Sequence, residues 1–223
     1  MGKLIVIDGT DGSGKETQMR LLESKLKSKN IDFRRVDFPN YASESSSLVK
    51  MYLSGEFGTD AKTISPYIAS TFYAADRYAT YKKELEEYYE NGGLILADRY
   101  TTANMVHQAG KIKDTKERKK FLEWLWDLEF NIYKIPIPDK IFFLNMPIDY
   151  VEKLIKNRKN KFDKNAPKDI HERDKKHLKE SYEAACEVAC NYKWNEIKCV
   201  VNGTLRTIED IGEEIFKNIE EIL

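Results

Sequence analysis

Short apolar runs alternate with amphipathic segments along the whole chain. Runs rich in β-branched residues predict five strands, at residues 4–8, 33–37, 94–98, 140–145 and 197–201. The segments between them have helical spacing, most clearly the last, which carries a stripe of Ile208, Ile211, Ile215 and Ile219. Strands that alternate with helices predict a parallel sheet, and almost wholly apolar strands predict helices on both of its faces. We therefore expect an α/β fold with three layers, a five-stranded parallel sheet flanked by helices.

Length and charge narrow the class of protein. At 223 residues, without repeats or low-complexity linkers, the chain is expected to form a single domain over residues 1–223. Its 37 basic residues balance 37 acidic ones, which argues against nucleic acid or an anionic membrane as a partner. The sequence has no apolar run long enough to span a membrane and no leader-like start, so we expect a cytoplasmic protein.

The three cysteines, Cys186, Cys190 and Cys199, lie in the C-terminal quarter of the chain. Their odd number does not indicate a disulfide framework. Cys186 and Cys190 share a helix face and suggest zinc, but the sequence shows no fourth ligand and no CxxC pair. We expect packed thiols.

A glycine-rich loop follows the first predicted strand and precedes the first predicted helix. The loop consists of Gly9, Thr10, Asp11, Gly12, Ser13, Gly14, Lys15, Glu16 and Thr17. Glycines between a strand and a helix let backbone amides converge on phosphate oxygens, and the lysine adds a cation. This pattern predicts that the loop binds the phosphates of a nucleotide such as ATP.

Glu16 departs from the phosphate-loop pattern, because Ser or Thr normally stands there and reaches the nucleotide's magnesium ion. A carboxylate ~5 Å from a phosphate charge would be repelled by about 3 kcal/mol at an effective dielectric near 20. Either the side chain turns away, or magnesium lies between the two groups. We expect the outward orientation, with Mg²⁺ and its waters held by Thr17, Asp98 or Asp11.

Polar residues also follow the other predicted strands, at the edge where ligands of parallel sheets bind. Asp98 ends the third strand in the manner of a metal-holding acid, and Arg99 is placed to reach an anionic substrate. Residues 153–168 carry seven cationic side chains against one acidic one. A basic segment between two helices suits a lid over a triphosphate, at about residues 156–169.

With these motifs in place, the chain resembles the thymidylate kinase family nearly end to end. The resemblance is carried by the loop at 9–15, Phe38-Pro39-Asn40-Tyr41, Tyr73-Ala74-Ala75-Asp76-Arg77, Asp98-Arg99-Tyr100 and residues 169–172. It implies the phosphate-loop nucleoside-monophosphate kinase fold with a lid, ATP and Mg²⁺ as cofactors, dTMP as acceptor and a homodimer.

The resemblance also implies roles for individual residues. Arg99 and Tyr41 would bind the 5'-phosphate of the acceptor, beside Phe38, and Asp11 would lie by the sugar 3'-hydroxyl and the metal. Tyr73 would stack on thymine, Arg77 would donate to its O4 and Asn104 would read its N3, with Gln108 lining the same pocket. Tyr73 replaces the family's usual phenylalanine, and helix packing is the alternative for it.

Two further positions depart from the pattern of many family members, and the family itself varies at a third. Ala103 stands where many members have Ser, and His107 where many have Tyr at the sugar's 2' edge, so the preference for deoxyribose is open. For His107 we favour a pocket histidine without a catalytic role. Gly12 stands where some members carry a catalytic arginine, so the lid would supply the charge through Arg158, with Lys159 and Lys161 as alternatives. Glu172 resembles a metal-side acid.

The sequence therefore predicts in-line transfer of the ATP γ-phosphoryl group to dTMP, a step in making dTTP, with Lys15, Arg99, Asp11 and Arg158 as catalytic residues. Two alternatives stay open, a kinase for another nucleoside monophosphate or a deoxynucleoside, and a nucleotide-binding module with weak turnover. A GTP-driven switch ranks last, because no guanine-reading Asn-Lys-x-Asp sequence follows the fourth strand.

Overall fold

The computed structural model describes the backbone of residues 1–58, 60, 63–159 and 175–223, and their side chains except those of 155–159 and 175–177. The main sheet has five parallel strands in the order β2-β3-β1-β4-β5. These strands are β1 Lys3–Asp8, β2 Arg34–Asp37, β3 Leu94–Asp98, β4 Lys140–Asn145 and β5 Asn195–Lys198. The predicted α/β fold with a five-stranded parallel sheet is confirmed.

Helices cover both faces of this sheet. They are α1 Lys15–Ser28, α2 Ser47–Ser54, α3 Pro66–Thr80, α4 Glu86–Glu90, α5 Thr101–His107, α6 Thr115–Trp126, α7 Ile148–Lys159, α8 Lys175–Asn191 and α9 Ile208–Glu220. Two π-helical turns extend α3 and α6, at Tyr81–Leu85 and Asp127–Ile132, and short 3₁₀ turns lie at Glu44–Ser46 and Ala109–Lys111.

Alternate side chains of each strand enter different parts of the core. In β1, Ile5 and Ile7 pack on one face with residues of α1 and α9, whereas Leu4 and Val6 pack on the other face with Tyr81. This is the two-sided burial that the apolar strands predicted. A third cluster joins β4 to α5, α6 and α8.

The predictions were wrong in detail at the C-terminal end. The fifth strand begins at Asn195 and stops at Lys198, and Val200–Val201 instead forms a small antiparallel pair, β6, with β7 at Thr204–Leu205. Ile208 is half exposed, because it is the first residue of α9 and precedes the part of the helix that packs on the core.

Among the cysteines, Cys199 is buried, Cys186 is partly buried and Cys190 is exposed, so the expectation of packed thiols was wrong for Cys190. Within the described part of the chain, no three His, Cys, Asp or Glu side chains are grouped to hold a metal ion. No helix there is both long and apolar enough to cross a membrane.

Candidate active site

The glycine-rich loop joins β1 directly to α1, so its amides lie at a helix N-terminus. Gly12 and Gly14 have φ of 81° and 96°, in the left-handed region that glycine adopts without strain. Helix α1 begins at the next residue, Lys15. The loop therefore has the backbone that phosphate binding requires.

Lys15 folds back onto its own loop. Its Nζ donates to the carbonyl oxygens of Gly9, at 2.8 Å, and Thr10, at 3.1 Å. Burial lowers the Lys15 pKa, and the neighbouring Arg99 cation lowers it further, while the surrounding carboxylates oppose the shift. A phosphate would replace weak carbonyl partners with an opposite charge and would favour the protonated amine.

Glu16 is held by two arginines. Its carboxylate accepts from Arg20 Nε at 2.5 Å and from Arg35 Nη2 at 2.6 Å. The hydrogen bond from Arg35 is the largest cause of the lowered Glu16 pKa. Arg35 also pairs with Glu23 and Asp37, so the carboxylate belongs to a network between α1 and β2. The two arginines neutralise the Glu16 carboxylate, but Glu16 still lines the cavity along this loop, so its outward orientation stays a prediction.

Arg99 and Asp11 form an ion pair at the mouth of the loop. Arg99, the residue after β3, has a φ of 65°, and its amide donates to the carbonyl of Ile7 at 3.1 Å. The Arg99 cation holds the pKa of Asp11 far below its usual range, against the opposing effect of burial. Burial pulls the Arg99 pKa down, but Asp11, Asp8 and Asp98 together hold it above its usual value.

Two further carboxylates lie at the ends of the central strands. Asp8 is buried and accepts from the Gly9 amide, at 2.7 Å, and from the Thr102 hydroxyl. Asp98 Oδ1 is buried and has no hydrogen-bond partner in the described part of the chain. Burial raises the Asp98 pKa although Lys15 and Arg99 are near. A buried carboxylate oxygen without a partner has a lone pair available for a ligand.

The structure brings all ten predicted acceptor residues around one cavity, which we call the inner cavity. Its lining also includes Pro39, which follows a cis peptide bond from Phe38, and Leu53 of α2. The ten predicted residues in the lining are Asp11, Phe38, Tyr41, Tyr73, Arg77, Arg99, Ala103, Asn104, His107 and Gln108. The sequence did not indicate Leu53 as a cavity residue, because an apolar residue of a helix is normally part of the hydrophobic core.

A second cavity, the loop cavity, lies beside it along the glycine-rich loop. It is lined by Asp11, Gly12, Gly14, Lys15, Glu16, Asp37, Phe38, Pro39, Tyr41, Asp98 and Arg99. Five of these residues line both cavities, among them Arg99 and Asp11. A ligand in the loop cavity would therefore meet a ligand in the inner cavity at Arg99.

Some predicted residues of the loop are not in this lining. Gly9, Thr10 and Ser13 do not line this cavity, and Thr10 and Ser13 are buried. Thr17 is partly buried in α1 and lines neither cavity. The predicted role of Thr17 at the metal stays a prediction.

The base-reading candidates lie on α3 and α5. Tyr73 packs edge-on against Tyr52, with ring centroids 6.3 Å apart. Asn104 is buried, and its Nδ2 donates to the Ser70 carbonyl at 3.3 Å. Gln108 is buried and its Oε1 has no hydrogen-bond partner among the described residues, so it can accept from a ligand.

Arg77 is fully buried and forms a bidentate ion pair with Glu129 of the π-helical turn that follows α6. Glu129 was not predicted from the sequence, since an acidic residue in an amphipathic helix is normally expected on the solvent-exposed face. The sequence also gave no role to Asp76, which accepts from the Asn40 amide at 2.8 Å and the Ser45 hydroxyl at 2.6 Å. Asp76 therefore fixes the loop that carries Phe38 and Tyr41.

The lid residues fall largely outside the described part of the chain. Arg158 lies in α7 with its side chain outside it, and Glu172 and most of residues 156–169 are outside it altogether. Their predicted roles stay predictions.

Taken together, a phosphate loop at a helix N-terminus and an adjoining cavity with arginine at the junction define a phosphoryl-transfer enzyme of the phosphate-loop class. The family model for thymidylate kinase matches residues 7–204. The chain belongs to the thymidylate kinase family, which confirms the resemblance and the enzyme class predicted from the sequence.

Individual relatives cover almost the whole chain. A thymidylate kinase of Plasmodium falciparum is 27% identical over 99% of this chain and 91% of its own. A probable thymidylate kinase of Thermococcus onnurineus is 30% identical over 98% of each chain. The structure of thymidylate kinase from Candida albicans superimposes with a TM-score of 0.72 at 19% identity, covering 99% of this chain and 92% of that one. At this sequence identity, the structural match shows a similar fold and nothing more.

Proposed function

We propose that the protein transfers the γ-phosphoryl group of ATP to the 5'-phosphate of dTMP and forms dTDP, within one kinase domain spanning residues 1–223. The observation that carries this proposal is the inner cavity, whose lining contains every predicted acceptor residue and which meets the loop cavity at Arg99 and Asp11. Two cavities that share an arginine suit two nucleotides whose phosphates face each other.

On the donor side, the amides of the loop at residues 9–17 bind the ATP phosphates, and Lys15 leaves the Gly9 and Thr10 carbonyls to pair with them. The partly exposed Asp11 carboxylate separates from Arg99 when a phosphate competes for the guanidinium. In this proposal Arg99 then neutralises charge on the acceptor phosphate and holds it in line for attack.

Magnesium fits the site through Asp98 and Asp11. Asp98 offers a buried Oδ1 without a hydrogen-bond partner, and Asp11 lines the same cavity. Mg²⁺ commonly takes one or two carboxylates plus phosphate oxygens and waters, so a larger cluster of protein ligands is not needed. When bound, the ion neutralises phosphate charge. In this proposal Glu16 stays with Arg35 and Arg20, and Thr17 remains a candidate to hold the waters of the metal ion.

On the acceptor side, Tyr41 and Phe38 face the phosphate end of the inner cavity, whereas Tyr73, Arg77 and Asn104 face the base. Gln108, Ala103 and His107 complete the wall around the nucleoside. No general base is required, because the acceptor phosphate is itself an anionic nucleophile at neutral pH. Closure of a lid at about residues 156–169, with Arg158 as the catalytic cation and Glu172 on the metal side, completes the proposal.

The test is coupled ADP formation with ATP and Mg²⁺ across dTMP, dUMP, UMP, CMP, GMP and AMP, with a reaction lacking acceptor as the control. We expect dTMP to give the highest kcat/KM, by at least about tenfold if the base is read by hydrogen bonds. A preference for another nucleotide would replace dTMP as the substrate. ADP formation no faster with any acceptor than without one would favour the weak nucleotide-binding module.

We further propose a cytoplasmic homodimer. Tyr78 stacks obliquely on Tyr133, with ring centroids 5.1 Å apart, and the adjacent Ile132 is 62% exposed, which gives a small apolar surface for a second copy. Sedimentation velocity of the wild type and of Ile132→Lys tests this assembly. A monomeric wild type would refute it.

A further inference from the structure

Arg77 and Glu129 form a buried ion pair beneath the inner cavity. The side chains are 1% and 0% exposed. Arg77 Nε donates to Glu129 Oε2 at 2.7 Å, and Nη2 donates to Oε1 at 2.5 Å. Two parallel hydrogen bonds between a planar guanidinium and a carboxylate fix the plane of the guanidinium as well as its position.

Two neighbours hold this pair in place. The Thr101 hydroxyl donates to Glu129 Oε2 at 2.8 Å, and Arg77 Nη1 donates to the Tyr100 carbonyl at a longer 3.4 Å. Thr101 is the first residue of α5, the helix that also carries Ala103 and Asn104. The pair therefore links α3, α5 and the π-helical turn at Asp127–Ile132, and two of these elements line the cavity.

Stability alone is a poor reason for such a pair. Taking both charges out of water is costly, and packed apolar side chains of similar volume are often as stable or more stable. The pair does, however, determine what Arg77 can offer a ligand. Of the five N–H donors of a guanidinium, Glu129 takes two and the Tyr100 carbonyl takes a third, which leaves two for the cavity that Arg77 lines.

We infer that Glu129 is the positioning and specificity-determining residue for the base, acting through Arg77. This inference rests on the proposed function, in which Arg77 donates to the acceptor base. Because Glu129 neutralises the guanidinium, Arg77 acts as a fixed pair of donors and not as a free cation. Such a group donates hydrogen bonds to a carbonyl oxygen, as at thymine C4, and opposes an amino group, which is itself a donor, as at cytosine C4.

Charge neutralisation also orients the whole nucleotide. The Glu129 carboxylate is fully buried and cannot leave Arg77, whereas the Asp11 carboxylate that pairs with Arg99 is 39% exposed and can. An incoming phosphate is therefore attracted to Arg99 and not to Arg77. The base end and the phosphate end of the inner cavity are distinguished by the carboxylate that accompanies each arginine.

The experiment compares Glu129→Asp and Thr101→Val with the wild type. Glu129→Asp keeps the charge but withdraws the carboxylate by one methylene. Thr101→Val removes the hydrogen bond from the Thr101 hydroxyl to Glu129 while keeping the shape of the side chain. Thr101→Ser restores the hydroxyl as the conservative variant. Glu214→Asp makes the same chemical change in the Arg206–Glu214 pair, on α9 and outside both cavities. Thermal unfolding establishes which variants are folded.

For each folded variant, kcat and KM are measured for dTMP and ATP, and the ratio of kcat/KM for dTMP to that for dCMP is determined. We expect Thr101→Val to raise the KM for dTMP and lower the ratio about fivefold, the value of one ordinary hydrogen bond. Glu129→Asp should lower the ratio about tenfold or more, since a charged pair is displaced. The KM for ATP should stay within about twofold of the wild-type value in every variant. The ratio of kcat/KM for dTMP to that for dCMP should also stay within about twofold in Thr101→Ser and Glu214→Asp, because neither variant disturbs the Arg77–Glu129 pair.

A ratio unchanged in folded Thr101→Val and Glu129→Asp, with only the unfolding temperature lowered, would overturn the inference and leave a structural pair. If Glu129→Asp does not fold, Thr101→Val decides alone. A wild type that does not turn over dTMP would instead refute the proposed function, and this inference with it.

Discussion

Replacing Arg99 by alanine tests the junction of the two cavities. The Arg99 side chain is 22% exposed and lies among Asp11, Asp8 and Asp98, so its charge acts in a partly screened site. At ~4 Å from a phosphate oxygen and an effective dielectric near 20, one unit charge contributes about 4 kcal/mol. Since each 1.36 kcal/mol is tenfold in rate, Arg99→Ala should lower kcat/KM for dTMP about 10³-fold.

The assay is steady-state ADP formation with dTMP varied at saturating ATP, and then with ATP varied. We expect the KM for ATP to change little, because Lys15 and the loop amides remain. The kcat/KM of Arg99→Lys for dTMP should lie between those of the wild type and Arg99→Ala, since lysine keeps the charge but lacks the planar guanidinium with its paired donors. Arg206→Ala, an arginine of an ion pair outside the cavities, is the matched control. A kcat/KM for dTMP within tenfold of the wild type would refute the role.

The same variant has a pH signature. Arg99 is the main reason that the Asp11 pKa is low, so in the wild type this carboxylate stays ionised well below the ordinary value of about 3.9. A depressed folded-state pKa adds stability above about pH 4, and this stability is lost as the pH falls further. In Arg99→Ala the Asp11 pKa should rise, and the acid limit of both activity and stability should move to higher pH.

Three further outcomes are expected. Asp98→Asn should abolish most turnover. At pH 7 without Mg²⁺ its unfolding temperature should be unchanged or higher, because burial raises the Asp98 pKa and makes the charged carboxylate unfavourable in the fold, so a clear loss of stability would contradict this. Relative to the wild type, Lys111→Met should be more stable at pH 7 than near pH 10, by up to about 3 kcal/mol, because burial lowers the Lys111 pKa from 10.5 to about 8 and protonation of this amine destabilises the fold. Met also loses the hydrogen bond to the Tyr52 hydroxyl, so the comparison of urea unfolding at the two pH values is the test, and an equal effect at both would contradict it. Gly212→Ala should change the free energy of unfolding by no more than about 1 kcal/mol and leave kcat unchanged, because its Cβ, 2.2 Å from Leu21 Cδ2, meets the end of a flexible side chain that can turn aside, and alanine favours the helix. Urea unfolding checks this, and a loss above about 2 kcal/mol would contradict it.

The sequence predicted what depends on local pattern. Strands β3 and β4 have the predicted bounds, because an apolar run ended by a polar residue marks both the buried part and its end. The glycine-rich loop and the ten residues of the inner cavity also follow from patterns, either of spacing or of family resemblance. The fifth strand was placed three residues out at its end, since Val200 and Val201 favour a strand without indicating which neighbour they pair with.

Residues that act through distant partners could not be predicted in this way. Glu129 lies 52 positions from Arg77, and neither its spacing nor its neighbours distinguish it from solvated acids such as Glu123. Asp76 reaches Asn40 and Ser45 only because α3 packs beside the loop after β2. Pairing across the fold decides these roles, and one sequence does not encode it in any local signal.

Asp76 and Arg77 are adjacent residues of α3, and each is tied to a different wall of the inner cavity. Asp76 holds the loop with Tyr41, and Arg77 is paired with Glu129. In the proposed function these are the phosphate end and the base end of the acceptor, so α3 would hold both ends at a fixed separation. On this proposal, thymidine has no phosphate to contact Arg99, and we expect it to be a much poorer acceptor than dTMP.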